Sequence, residues 1–224
     1  MKTLRTRAIV LRRTNYGEAD RILQMMTPEG RRSVMARGVR KEKSRLAGGI
    51  ELFAVSDVVI GEGKGELGVL TSARLIQFYR HILQDYDRMQ FGYEVIKHVS
   101  RASDMVDEPE WYDVLLEVLM GLDTETIPKQ LVETWFYLRY SALLGHELSL
   151  THDISGASLQ SDMQYRYDQA ETGFRPVEQG DIGADHIKLL RLINAKSLKT
   201  LAQVGGVGDI LPDCWLVARQ HAAI

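Results

Sequence analysis

Apolar positions along this chain follow two rhythms. Up to about residue 78 they come in short runs broken by turn residues. Ala8-Ile9-Val10-Leu11 is the first run. Residues 21–27 follow and stop at the turn Pro28-Glu29-Gly30. Residues 31–37 alternate loosely and end at Gly38, residues 50–60 are rich in Val, Ile and Phe, and residues 70–78 complete the set. Four glycines within residues 61–68 read as a hairpin connection. Five short strands in fewer than 80 residues predict a small closed barrel of the OB type, although strand count alone fits an SH3-like barrel equally well. After Tyr79 apolar residues recur at three and four. Ile82, Tyr86, Met89, Tyr93, Ile96 and Val99 predict one face of a long helix. Residues 110–122 predict a second helix, with Pro109 near its first turn. Residues 127–144 predict a third, with Pro128 near its start and Gly145 past its end. Shorter helices are expected over 185–195, 198–204 and 213–222. The rhythm fails between Leu148 and Gly183, where residues 163–167 and 173–177 could form a small hairpin. The expected class is therefore α+β: a five-stranded OB-type β-barrel over residues 1–78, then a mostly α-helical domain over 79–224 with a cysteine-free hairpin insertion near 148–180.

Composition adds one asymmetry. With 45% hydrophobic and 26% charged residues the chain is an ordinary globular one, and its net charge of −2 argues against nucleic acid. Residues 1–45, however, hold 13 Lys and Arg against 4 acids, a local +9, which leaves −11 for the remainder. A basic binding module joined to an acidic body is expected. The lone cysteine, Cys214, allows no disulfide within the chain and no cysteine-rich metal site, which fits a reducing cytoplasm; its expected role is that of a small buried hydrophobe. The apolar run at 8–11 is too short for a signal peptide or a membrane span, so a cytosolic location is expected.

The densest feature is Ala36-Arg37-Gly38-Val39-Arg40-Lys41-Glu42-Lys43-Ser44-Arg45, with five positive charges against one negative. A basic loop beside a barrel face can track a phosphate backbone, and each phosphate neutralised releases counterions. Arg12, Arg13, Arg31 and Arg32 could extend this surface, but adjacent strand residues point to opposite faces, so one of each pair at most can join it. The competing reading is a solvated charge run in a mobile loop. Aromatic platforms for bases are scarce: residues 1–78 contain only Tyr16, Phe53 and Phe78, and Phe53 lies in an apolar strand that reads as core. Binding dominated by charge, and weakened steeply by salt, is the expectation.

Tyr16-Gly17-Glu18-Ala19-Asp20-Arg21-Ile22, following the Ala8-Ile9-Val10-Leu11 strand, resembles the opening of the bacterial recombination mediators of the RecO family. The 36–46 stretch is similar to that family's next signature, in the same order and spacing. The resemblance is clear over residues 5–80 and diffuse over the helical part. It implies an N-terminal OB barrel and a helical C-terminal domain. It also implies binding of single- and double-stranded DNA, annealing of complementary strands, and help in loading recombinase during DNA repair and homologous recombination. The implied partners are a RecR-type protein and the C-terminal tail of single-strand-binding protein, in a bacterial, nucleoid-associated setting. Many members carry a four-cysteine zinc ribbon; the matching region here, about 148–180, has no cysteine, so neither zinc nor another cofactor is expected.

Other signals carry less. Gly63-Lys64-Gly65-Glu66-Leu67-Gly68 fits G-x-G-x-x-G but lies between two strand-like runs rather than before a helix. No G-x-x-x-x-G-K-[ST] is present. The histidines at 81, 98, 146, 152, 186 and 221 stand in no catalytic or metal motif, and His146, His152 and Asp153 read as surface polar residues. Val204-Gly205-Gly206-Val207-Gly208-Asp209 fits an ordinary glycine-capped turn better than a helix-hairpin-helix. On the third helix, Lys129 and Arg139 near a core Trp135 are candidates for meeting a partner's acidic and apolar tail. A non-enzymatic DNA mediator is the first reading. A protein adaptor whose barrel docks a partner is the second, and a nucleic-acid enzyme with dispersed carboxylates the third.

Overall fold

The computed structural model describes residues 3–61 and 67–223. Five strands, β1 (Thr3–Tyr16), β2 (Asp20–Thr27), β3 (Gly30–Ala36), β4 (Ala54–Gly61) and β5 (Leu67–Phe78), close a barrel in the order β1-β2-β3-β5-β4. The closing pair, β3 with β5, is parallel, which makes this the OB arrangement and not an SH3-like one. Alternate residues fill the interior, with Ala8, Val10, Leu23, Met25, Val34, Val58, Ile60 and Leu70 all buried. The hairpin β2–β3 turns at Gly30, φ +93°, where the Thr27 hydroxyl donates to the Gly30 carbonyl at 2.7 Å.

β1 reaches well beyond the four-residue apolar run. Its first half pairs with β4 and its second half with β2, and the register shifts between Val10 and Arg12. That bulge re-aims the strand at the corner of the barrel. β4 is shorter than the apolar pattern predicts. A 3-10 turn occupies Ala47–Gly49, and Phe53 turns the chain with φ +55° before pairing begins. Among the glycine-rich residues between β4 and β5, 62–66 lie outside the described residues, and with them most of the G-x-G-x-x-G stretch.

The first compact unit is Met1–Asp123, so it holds two helices in addition to the barrel: α1 (Tyr86–Met105) and α2 (Glu110–Asp123). Asp85 caps α1 by accepting from the Arg88 amide at 3.0 Å. α1 packs on β1, and α2 on β2 and β3. The face that α1 buries differs from the expected one. Phe91, Gly92, Val95, Ile96, Val99 and Ala102 point inward, whereas Tyr86 and Tyr93 are exposed. Ile82 belongs to a separate 3-10 turn, so the helical period starts at Tyr86 and its phase shifts.

The second unit, Thr124–Ile224, contains α3 (Lys129–Leu143), the hairpin β6 (Gln164–Asp168) with β7 (Gly173–Val177), α4 (Ala184–Ala195), the single turn α5 (Leu198–Leu201) and α6 (Leu211–Ala222). α3 packs mainly on α6. Tyr165 and Phe174 are buried in the hairpin's base. The Tyr167 hydroxyl meets His221 Nδ1 at 2.8 Å, and His221 Nε2 donates to the His146 carbonyl at 2.6 Å. With only one helical turn before it, the 204–209 segment is a connection to α6 and not half of a helix-hairpin-helix.

Candidate nucleic-acid interface

The basic segment leaves β3 at Ala36 and winds through successive turns to Leu46. Gly38 adopts φ +61°, a conformation that suits glycine, and its amide donates to the Asp20 carboxylate at 2.7 Å. The Arg40 amide donates to the Ala19 carbonyl at 2.9 Å. Two further turns close with Lys41 N to Gly38 O at 3.1 Å and Ser44 N to Lys41 O at 3.0 Å. Val39, only 3% exposed, inserts into the barrel core between these bonds. The loop is thus fastened from below and from the side, and its charged residues are left on the outside.

Arg37, Arg40, Lys41, Lys43 and Arg45 are all exposed. Arg40 donates to the Gly17 carbonyl at 3.2 Å. Arg37, Lys41, Lys43 and Arg45 form no ion pair with a described carboxylate. Beside them, at the tip of the β1–β2 hairpin, Tyr16 presents its ring to solvent at 55% exposure. Phe53, by contrast, is 1% exposed and belongs to the core.

The paired arginines divide as strand alternation requires. Arg12 stands opposite Gln24 on the outer face of the barrel, whereas Arg13 stands opposite the core residue Leu23 and reaches Glu51 at 3.0 Å. Arg31 and Arg32 lie at the start of β3, the end remote from the basic loop, roughly 20 Å away along the strand. Arg31 is 14% exposed and ion-paired to Asp104, and burial lowers its pKa. Arg32 donates to the carbonyls of Arg31 at 2.7 Å and Glu29 at 2.8 Å. The loop cations therefore come together, with Arg13 partly neutralised by Glu51; Arg31 and Arg32 stand apart from them at the far end of β3, each bonded within the protein.

In the second unit, Lys129 pairs with the buried Glu133 at 2.5 Å. Arg139 lies 5.3 Å over the Trp135 ring and donates to Asn194, while Trp135 donates to the Lys196 carbonyl at 2.9 Å. The Lys129 pair lies within α3 itself, whereas Arg139 ties α3 to the end of α4. Two exposed cations that sequence reasoning missed, Lys97 and Arg101, stand one turn apart on α1. Their i, i+4 spacing was the available signal, and it is shared by countless solvated helix faces.

Known proteins resemble this chain in the same regions. Residues 1–79 match the family described as Recombination protein O N terminal. A DNA repair protein RecO from Synechococcus elongatus is 32% identical over 229 residues, covering 94% of this chain and 82% of that protein. One from Dehalococcoides mccartyi is 28% identical over 228 residues, covering 97% and 88%. One from a Roseiflexus species is 34% identical over 123 residues, which span 54% of this chain and 43% of that relative.

Proposed function

The chain belongs to the RecO family of DNA repair proteins, and from that premise we propose that it is a non-enzymatic mediator that binds single- and double-stranded DNA through the basic loop of its barrel. In this reading it anneals complementary strands and helps load recombinase in the bacterial cytoplasm. The observation that carries the proposal is the pinned loop, on which Arg37, Lys41, Lys43 and Arg45 point outward without neutralising partners among the described carboxylates. A generic solvated loop would need neither Val39 in the core nor an Asp20 carboxylate on its amide. Annealing suits such a surface, because two polyanions must approach and their repulsion must be screened. A RecR-type partner and the acidic tail of single-strand-binding protein complete the proposal. Lys129, at the solvent edge of its pair with Glu133, is better placed than Arg139 to meet such a tail.

The test is fluorescence anisotropy with labelled oligonucleotides at several salt concentrations, for the wild type and for Arg40→Glu/Lys41→Glu/Lys43→Glu. If the three cations each neutralise a phosphate of a single strand, their removal flattens the slope of log affinity against log salt by about 2. A wild type that binds no DNA supports the adaptor reading instead, and magnesium-dependent strand cleavage would support an enzyme.

A further inference from the structure

Between the outer face of β1–β2 and α1 lies a cleft of about 400 Å³ with Leu11, Leu52 and Ile96 among its lining. Arg12, Lys97 and Arg101, all exposed, stand around it. Its one carboxylate, Asp104, is paired with Arg31, so the three cations keep their net charge. Tyr93, also part of the lining, is 46% exposed. Its ring rests against buried Phe53, with centroids 4.8 Å apart and planes at 58°. Gly92 permits this seat: a Cβ there would come within 2.8 Å of the Phe53 ring. Tyr93 is therefore an aromatic surface on a rigid base.

We infer that this cleft is a nucleotide pocket for single-stranded DNA, in which Tyr93 stacks an unpaired base while Arg12, Lys97 and Arg101 hold the flanking phosphates. The inference rests on the DNA-binding reading and extends it to a place the basic loop does not reach. Stacking on a ring requires a base whose face is free, which selects unpaired strand over duplex. Gln24, Ser100 and Asp104 line the same space and offer donors and acceptors to a base edge. The Asp104 carboxylate can accept from an exocyclic amine. The outer face of β1 leads from the pocket toward the loop. Arg12, Thr14 and Tyr16 alternate onto one face of β1, opposite Gln24, Ile22 and Asp20. Tyr16 therefore stands roughly 13 Å along the strand from Arg12, at the tip that Arg40 contacts. Two exposed aromatics bracket Arg12 on one track.

The full chain is mixed with labelled oligo(dT) and, separately, with a blunt duplex, for the wild type, Tyr93→Leu and Tyr93→Phe, with thermal melts to show that each variant is folded. Oligo(dT) carrying iododeoxyuridine is also photo-crosslinked and the attached residue mapped by mass spectrometry. Loss of a stacked base weakens oligo(dT) binding by about 5- to 150-fold in Tyr93→Leu. Tyr93→Phe is expected to keep the affinity, duplex binding to change less than about twofold, and the crosslink to fall on Tyr93. Wild-type binding that depends on Lys41 but is untouched by Tyr93→Leu overturns this inference alone, as does an equal loss on duplex. Tyr93→Leu that abolishes binding of an acidic peptide with an apolar end, and spares oligo(dT), also overturns it, because the cleft is then a peptide site. A wild type that binds neither DNA overturns both this inference and the function proposed above.

Discussion

The carboxylate of Asp20 accepts the backbone amide of Gly38 at 2.7 Å, across 18 residues of sequence. It joins the start of β2 to the first turn of the basic loop, and so fixes where the loop's cations stand relative to the β1–β2 hairpin. Hydrogen bonds to charged acceptors contribute about 1.5–3 kcal/mol. Asp20→Ala is expected to lower unfolding stability by that order and to weaken DNA binding, although it removes a negative charge. Denaturant melts and anisotropy check this together; tighter DNA binding would show that charge alone, and not placement, governs the loop.

Gly92 and Phe53 make a second tight fit. Gly92→Ala places a Cβ against the Phe53 ring and is expected to cost about 1–3 kcal/mol through overpacking. Trimming the ring should relieve the clash, so Gly92→Ala/Phe53→Leu is expected to be less destabilised than the sum of its single variants. A double-mutant cycle from denaturant midpoints measures the difference.

His221 gives the second unit a pH dependence. Burial is the main cause of its lowered pKa, and both ring nitrogens are engaged in the neutral form. Below about pH 6.5 the unfolded chain takes up a proton that the folded chain refuses. Stability held at neutral pH therefore declines as the pH falls through the unfolded value, and levels off once the folded value is passed. His98 shifts in the same direction, also mainly by burial, so the comparison must be made by difference. His221→Gln is expected to be less stable at neutral pH but to show a shallower fall in melting temperature between about pH 7 and pH 5.

Cys214 is fully buried, and burial pushes its thiol up to about 12. The thiolate is the reactive form. Alkylation at neutral pH is expected to require exposure of Cys214, so the labelling rate under native conditions reports opening of α6. Mass spectrometry after timed exposure to iodoacetamide reads that rate directly.

Much of the barrel was legible because turn residues punctuate it. Pro28, Gly38 and Gly61 stand at or within two residues of where β2, β3 and β4 end. The outer parts of β1 were not legible, because Thr3, Arg5, Arg7 and the residues after Leu11 put polar side chains on the surface and hide the pairing. Closure through β3 and β5 left no periodic trace, since among the described residues three pairs make that seam. The phase of α1 is not legible, because tyrosines count as apolar in a pattern while sitting comfortably at a wet boundary. Charge density revealed the basic loop. Its anchoring did not show, because Asp20 and Gly38 are ordinary residues until folding brings them together. Lys97 and Arg101 were invisible for the opposite reason: exposed helix cations are commonplace, and only the neighbouring cleft distinguishes these.

β1 also imposes an order of events on the newly made chain. Its first half pairs with residues 46–58 positions downstream, so a ribosome adding about 5–20 residues per second leaves that half without its β4 partner for about 3–10 s. An apolar strand waiting with open edges invites another nascent chain to pair with it. Arg5, Arg7, Arg12 and Arg13 flank Ala8-Ile9-Val10-Leu11 on both sides and repel a second copy of themselves. The arginines of this strand thus set like charges on both sides of its apolar centre during the interval in which β4 has yet to be made.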